Sequence, residues 1–330
     1  MRFSLKQSIL VVILLSIVTS YMVYFGYQTH YSGSIFKRQT FTTRYTTDVF
    51  KYRVLSRELL LHFDDAIDPD GKAFYVSVFY VNTIFLILTS ILAVLLIDLK
   101  GIFNATPGEK TLIVFLIPLV INLSQFCIVP YDISSYFFQL LILWLFFRLY
   151  EKNYILSLFS IAVILALSTA NRESSALSLA ALILMLVLRY GFVKRSLISI
   201  GILIISFLAT YVLLRVMIKG TGGPEMGISP LAGDLTAFVN ILGILFWLIF
   251  FYLTIALANT LENRCIVVAF HILSLPYIYT ILTVGILWEV RLYVPLFLHS
   301  IYFSKLNTEG YLYKLEPYYQ KMKAYVNEKS

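Results

Sequence analysis

Charged residues are scarce in this sequence, and their scarcity excludes most soluble folds. Only 13% of the 330 residues are Asp, Glu, Lys or Arg, whereas 59% are hydrophobic. Soluble domains carry about 25% charged residues on average. The polar segments are too short to form a separate soluble domain, and several apolar runs approach the roughly 20 residues that cross a bilayer. The composition therefore predicts a polytopic α-helical membrane protein.

Cysteine and histidine are also rare, which argues against two kinds of site. Cys127 and Cys265 both lie within apolar runs and suggest neither a disulfide nor a metal site. The four histidines lack the spacing of metal ligands. The net charge is +8, but no dense basic stripe alternates with aromatic residues, so we predict no nucleic-acid site. A requirement for a divalent cation stays open.

The apolar runs predict about ten membrane-spanning helices. We place them by the length and composition that a spanning helix needs. They cover residues 7–27, 75–98, 111–129, 135–150, 154–170, 175–191, 196–215, 237–258, 265–286 and 290–304.

Lysine and arginine predict the orientation, because short cytoplasmic loops are enriched in these residues. With the N-terminus in the cytoplasm, every cytoplasmic segment carries a basic residue, whereas the opposite short loops carry few. Both ends of a transmembrane domain at 1–304 are then cytoplasmic. Residues 28–74 form an extracytoplasmic loop, and residues 305–330 form a tail whose lysines lie near anionic membrane lipids. The cytoplasmic basic residues are Arg2, Lys6, Lys100, Lys110, Arg148, Lys152, Arg189, Lys194, Arg195, Arg264 and five lysines of the tail.

The segment Asn171-Arg172-Glu173 separates two apolar runs, Tyr154–Ala170 and Ala176–Leu188. A charge at the centre of a spanning helix costs about 2.5–3.5 kcal/mol, so such residues usually pair and carry function. The fourth span has only about 16 residues and is therefore roughly 24 Å long. We expect the extracytoplasmic ends of the short spans to lie below the lipid surface, so that Asp132, Arg172 and Glu173 line a cavity open to the outside.

Each of these residues also has a structural interpretation. Asp132 could be an ordinary N-cap of the following helix. Arg172 and Glu173 could pair with each other, although adjacent helical residues do not face each other and more often reach different partners. Glu289 and Arg291 could form an interfacial salt bridge or a second charged edge of the same cavity.

The first loop contains a second group of candidates, between Thr46 and Phe63. An imperfect apolar stripe through Val54, Leu55, Leu59 and residues 61–63 predicts an amphipathic helix in the membrane interface. The functional interpretation makes Asp48 a catalytic acid or base and makes Arg53 and Arg57 phosphate-binding residues. The alternative is a solvated amphipathic loop.

Four short motifs, taken together, resemble a group of bacterial polytopic proteins identified as GT-C-type glycosyltransferases. They are Tyr52-Arg53-Val54-Leu55, Tyr131-Asp132, Asn171-Arg172-Glu173-Ser174 and Glu289-x-Arg291-x-Tyr293-x-Pro295. The resemblance implies an all-α GT-C-like bundle in the bacterial cytoplasmic membrane. It also implies an essential acid in the first outer loop, which Asp48 matches best and Asp64 or Asp65 second. The acidic pair that those enzymes carry directly after their first span is absent here.

The resemblance implies transfer of a sugar from a polyprenyl-phosphate donor to a cell-envelope glycan or lipid acceptor. Catalysis would fall to Asp48, Asp132 and Glu173. Substrate and phosphate binding would fall to Arg53, Arg57, Asn171, Arg172, Glu289 and Arg291. Two other functions fit the same charges: a transporter or flippase of a charged envelope precursor, and a polymerase that joins lipid-linked oligosaccharides. The charges gather on one side and no internal repeat is evident, which favours the transferase over the transporter.

Overall fold

The computed structural model describes residues 3–30, 37–47, 49–68, 73–125, 129, 131–218, 238–284, 287 and 289–312. Within these ranges the regular structure is helical, and the prediction of an all-α protein is confirmed. The α-helices are α1 Leu5–His30, α2 Arg38–Thr47, α3 Val54–Ile67, α4 Phe74–Ile97, α5 Pro107–Leu123, α6 Asp132–Leu149, α7 Tyr154–Asn171, α8 Ala176–Tyr190, α9 Lys194–Met217, α10 Phe238–Ala256, α11 Leu261–Leu273, α12 Leu275–Val284, α13 Val294–Ser304 and α14 Thr308–Tyr311. Short 3₁₀ turns lie at Val49–Tyr52, Glu173–Ser175 and Val290–Leu292.

Six of the described helices are long and apolar enough to cross a membrane, and a bent pair of helices makes a seventh if it crosses as one span. The pair is α11 and α12, which meet at an angle of 53°. Every predicted span overlaps a described helix. The remaining three are α5, with 17 residues, and the shorter apolar helices Asn240–Ala256 and Val294–Ser304.

The core of the bundle is apolar and centres on α4, α6, α8, α11 and α13. Leu140, Leu182, Phe270 and Phe303 are among its fully buried side chains. Helix α9 is different, because it packs on α7 and α8 while most of its apolar side chains stay exposed. An exposed apolar helix in an apolar chain is what contact with lipid requires.

The helix ends form two groups at opposite ends of the bundle. The Asp132 end comprises the start of α6, the end of α7, the start of α8 and the end of α9. The Lys305 end comprises the ends of α4, α6, α8 and α13 and the start of α5. Helix α6 has 18 residues and so separates the two groups by about 27 Å.

The first loop folds as two helices that dock on the bundle. Helix α3 packs against α4 and α7. Its buried face runs through Ser56, Leu60 and Asp64, so the predicted stripe was wrong in omitting Leu60. The fully buried Asp64 explains the docking, because it accepts hydrogen bonds from Ser77 at 2.7 Å and from Arg38 at 3.0 Å.

At the Lys305 end, the first residues of the predicted tail pack into the core. Leu306, Tyr311 and Leu312 are buried, and Leu306 forms an antiparallel bridge with Phe103. Lys305 is 4% exposed, and its ammonium group donates to Glu109 and to Asn259 Oδ1. Residues 313–330 of the predicted tail lie outside the described residues.

Candidate functional site

Asp132 is the centre of a buried ion-pair network. Its carboxylate is fully buried and accepts a hydrogen bond from Arg172 on Oδ1 and one from Arg291 on Oδ2, the latter at 2.8 Å. Tyr131 occupies the N-cap position of α6, and no side chain caps that helix end. The N-cap interpretation of Asp132 is therefore wrong, because both carboxylate oxygens point to arginines from distant parts of the chain.

Arg291 extends the network to Glu289. Its Nη2 donates to Glu289 Oε2 at 2.7 Å, and both residues are buried. The 3₁₀ turn Val290–Leu292 holds this pair, and Tyr136 of α6 donates to the carbonyl of Arg291 at 3.0 Å. The predicted Glu289–Arg291 salt bridge is present. It is also part of the same cluster as Asp132, so the two interpretations of this pair describe one structure.

Asn171 joins the end of α7 to the start of α6. Its amide nitrogen donates to the carbonyl of Tyr131 at 3.0 Å, and its amide oxygen accepts from Ser134 at 2.9 Å. Next to it, the Ser135 and Ser174 hydroxyls lie 3.0 Å apart. These bonds fix the turn that carries Arg172 and Glu173. Asn171 is thus committed to the protein itself rather than free for a substrate.

Glu173 lies between two arginines. Its Oε2 is 3.5 Å from Arg53 Nε, and its Oε1 is 3.6 Å from Arg215 Nη2. These distances allow ion pairing but exceed those of good hydrogen bonds. The Glu173 side chain is 31% exposed and that of Arg215 is 34% exposed, so this side of the cluster is open. Arg172 and Glu173 therefore reach different partners, as expected for adjacent residues.

Arg53 stacks on the ring of Tyr131. The centre of its guanidinium lies 3.8 Å from the ring centroid of Tyr131 and 4.9 Å from that of Phe50. Its Nη1 is buried and has no hydrogen-bond partner among the described residues. Stacking holds a guanidinium in place without using its donors. Arg53 is therefore positioned with hydrogen-bonding capacity to spare.

Arg53 and Arg291 stay charged in spite of their burial. Burial by itself acts to lower the pKa of Arg53, but Tyr131 and Glu173 outweigh it, and the pKa lies above its ordinary value. Burial likewise acts to lower the pKa of Arg291, and the Asp132 carboxylate raises it well above the ordinary value.

We call the seven residues that form this network the charge cluster: Arg53, Asp132, Arg172, Glu173, Arg215, Glu289 and Arg291.

The remaining first-loop candidates lie outside the charge cluster or outside the described residues. Arg57 donates to Glu58 at 2.8 Å and to the carbonyl of Tyr45 at 3.2 Å. Asp64 and Asp65 pair with Arg38. Asp48 lies outside the described residues. In the part of the chain that the structure covers, no group of three or more His, Cys, Asp or Glu could hold a metal ion.

The structure differs from the predicted cavity in which residues are accessible, and it adds Arg215 to the site. Asp132, Arg172 and Arg291 are sealed from solvent, so they do not line an open cavity as expected. The open side consists of Glu173, Arg53 and Arg215. Arg215 was not among the predicted site residues. The sequence did hold a signal for it, because Arg215 is a cation at the end of a span on the side where basic residues are rare.

Searches against models of known protein families, curated proteins and solved structures find no match to this chain.

Proposed function

We propose that this protein is a membrane glycosyltransferase of the bacterial cytoplasmic membrane. It would transfer a sugar from a polyprenyl-phosphate donor to a cell-envelope glycan or lipid acceptor on the extracytoplasmic side. The observation that supports the proposal is the partly exposed Glu173 carboxylate between Arg53 and Arg215, beside a sealed network of further charges. A proton acceptor next to guanidinium groups is what a glycosyl phosphate reaction requires.

The charge balance favours an anionic ligand on the open side. The charge cluster contains four arginines and three carboxylates. Asp132 and Glu289 are occupied by Arg172 and Arg291 in the interior. Arg53 and Arg215 share Glu173 alone, so the open side carries surplus positive charge. Guanidinium groups bind phosphate through charge-assisted hydrogen bonds, and the buried Arg53 Nη1 has no hydrogen-bond partner among the described residues.

In the proposed reaction Glu173 takes the proton of the acceptor hydroxyl. The acceptor oxygen bonds to the anomeric carbon while the bond from that carbon to the phosphate oxygen breaks. The electron pair of that bond leaves with polyprenyl phosphate, whose added charge Arg53 and Arg215 stabilise. Asp132 is a positioning residue, because both its oxygens hold arginines. Asp48 is the alternative proton acceptor, as the resemblance implies.

The topology of the proposal has ten spans. The six long helices and the bent pair supply seven of them. Helices α5, α10 and α13 supply the other three and bring both chain ends to the cytoplasm. The Asp132 end is then extracytoplasmic and the Lys305 end cytoplasmic. Lipid tails of the donor would stay in the bilayer while the phosphate reaches the open side of the charge cluster.

The test measures sugar transfer by the purified protein from synthetic polyprenyl-phosphate sugars. The release of polyprenyl phosphate reports the rate. We expect Glu173→Gln to lower the rate by at least about 100-fold, the usual contribution of a positioned base. Arg53→Ala and Arg215→Ala should each raise the donor concentration needed for half-maximal rate. Glu58→Gln is the matched control, because Glu58 pairs with Arg57 outside the charge cluster.

The variant Asp48→Asn distinguishes between the two candidate proton acceptors, Glu173 and Asp48. Loss of transfer in Asp48→Asn with normal transfer in Glu173→Gln would move the base to the first loop. Full activity of both variants would refute the transferase mechanism. Movement of an intact lipid-linked sugar across proteoliposomes without product would instead favour the flippase, and chain extension of lipid-linked oligosaccharides would favour the polymerase.

A further inference from the structure

The Lys305 end contains a cleft that the proposed function does not use. It has a volume of about 440 Å³ and lies between the turn after α4 and the end of α6. Its lining residues are Asp98, Leu99, Lys100, Ile102, Phe147, Arg148, Glu151 and Lys152. The cleft is separated from the charge cluster by the length of α6.

The two carboxylates of the cleft are already neutralised by cations outside its lining. Asp98 pairs with Lys110 at 2.7 Å. Glu151 accepts from Arg189 Nε at 2.7 Å and from Tyr190 at 3.0 Å. Burial acts to raise the pKa of Glu151, but the hydrogen bonds from Arg189 and Tyr190 outweigh it, and the pKa is lowered. Neither carboxylate is therefore free to balance the cations of the cleft.

The three cations of the cleft have no such partners. The side chains of Lys100, Arg148 and Lys152 are exposed and make no ion pair or hydrogen bond within the described ranges. The cleft thus has surplus positive charge at its rim.

The walls of the cleft are held in place. Gly101 adopts a left-handed backbone with φ of 78°, which permits the tight turn that carries Lys100. Asn307 donates to the carbonyl of Gly101 at 3.1 Å and anchors this turn to the segment after α13. On the other wall, the amide of Lys152 donates to the carbonyl of Leu149 at 2.9 Å. Lys100 and Lys152 therefore extend from ordered turns, and Arg148 extends from the last turn of α6.

The floor of the cleft is apolar. Phe147 is buried, and Leu99 and Ile102 pack partly buried against the main core. An inorganic anion needs only the cations, whereas a phospholipid needs cations for its phosphate and apolar surface for the glycerol and upper chain carbons. Basic pockets between helices at the cytoplasmic side bind anionic lipid head groups in this way.

We propose that this cleft binds the head group of an anionic phospholipid of the cytoplasmic leaflet. Lys100, Arg148 and Lys152 contact the phosphate and any second anionic group, and Leu99, Ile102 and Phe147 contact the adjoining apolar part. This site is independent of the proposed transfer reaction and does not require it.

Native mass spectrometry of the purified full-length protein tests the proposal by counting bound lipids during titration. The probes are dioleoyl phosphatidylglycerol, dioleoyl phosphatidylcholine and inorganic phosphate. We expect phosphatidylglycerol to bind at least tenfold more tightly than phosphatidylcholine. The triple variant Lys100→Gln, Arg148→Gln, Lys152→Gln should lose at least tenfold in affinity for phosphatidylglycerol.

The matched control removes three exposed cations from the same end outside the cleft, by Lys6→Gln, Lys194→Gln and Arg264→Gln. This control should keep the affinity within about twofold. Equal losses of affinity in both triple variants would show that lipid binding depends on general surface charge, and this would overturn the site. No loss of affinity in either triple variant would overturn it too. Competition by inorganic phosphate at equal concentration would overturn the lipid as ligand. If the triple variant does not purify, the three single substitutions are compared with the three control singles by the same criteria.

Discussion

Asp132 shows how one carboxylate can hold together segments that are far apart in the chain. It bonds to Arg172, 40 residues away, and to Arg291, 159 residues away. Removing one partner of a buried ion pair is far more costly than the pair is worth, because the remaining charge stays buried and uncompensated. Asp132 is therefore the residue on which the stability of the charge cluster depends most.

We predict that Asp132→Asn destabilises the protein by about 3–5 kcal/mol, because Arg172 and Arg291 then lack their shared carboxylate. Thermal or denaturant unfolding of the purified protein in detergent measures the change. Glu173→Gln serves as the comparison and should cost only about 1 kcal/mol or less, because its side chain is partly exposed and its ion pairs are long. Equal losses in the two variants would contradict the structure.

The sequence predicted which residues would lie close together, but not which of them would be buried and which would stay accessible. Asn171, Arg172 and Glu173 were recognisable because charge between apolar runs is costly. Which of the charged residues are buried depends on contacts between distant parts of the chain, which no local pattern contains. Asp132 is buried because Arg291, 159 residues further along the chain, contacts it. Glu173 stays open because its neighbours are Arg53 and Arg215, whose side chains reach it from a loop and from a helix end.

At the scale of elements, the end of α13 and the segment after it connect three parts of the bundle at the Lys305 end. Lys305 donates to Glu109 at the start of α5 and to Asn259 after α10. Asn263 of α11 donates to the carbonyls of Phe303 at 2.7 Å and of Leu306 at 2.9 Å. Such a segment could not be recognised from composition, because its lysine and polar residues are equally typical of a solvated tail.

The Lys305–Glu109 contact predicts a pH dependence of stability. Burial acts to raise the pKa of Glu109, but hydrogen bonds from Lys305 and Thr106 outweigh it, and the pKa is lowered. A carboxyl group whose pKa is lower in the folded state stabilises the protein above its unfolded pKa of about 4.3, and this contribution is lost as pH falls through the folded value. Glu109→Gln should therefore cost about 2 kcal/mol at pH 7.

The measurement is thermal unfolding in detergent from pH 7 downward. The difference between the original protein and Glu109→Gln should shrink once the pH falls below about 4.3. Glu309→Gln is the control, because Glu309 lies on the segment that follows Lys305, is exposed and has no partner among the described residues. A gap between the original protein and Glu109→Gln that stays constant with pH would contradict a role for the Glu109 charge.

At the scale of the whole molecule, the two ends of the bundle differ in chemistry. The Asp132 end pairs most of its charges with one another and leaves one side open. The Lys305 end has exposed, unpaired cations within the described residues. The sequence predicted this division through the distribution of lysine and arginine. It could not predict that helix α3 docks against α7, because the amphipathic pattern alone fits a helix lying on lipid equally well.

This difference between the ends predicts the orientation of the protein in its membrane. In a variant with both native cysteines replaced by serine, a single cysteine is introduced at Glu58 on α3 or at Lys194 at the start of α9. Lys194 is exposed, and the Glu58 side chain is 44% exposed. A membrane-impermeant maleimide added to intact spheroplasts should label Glu58→Cys and leave Lys194→Cys unlabelled, and inverted vesicles should give the reverse. Basic residues favour the cytoplasm, so we expect the Lys305 end to be cytoplasmic. The opposite labelling pattern would place the charge cluster at the cytoplasmic side and remove the physical basis for an extracytoplasmic reaction.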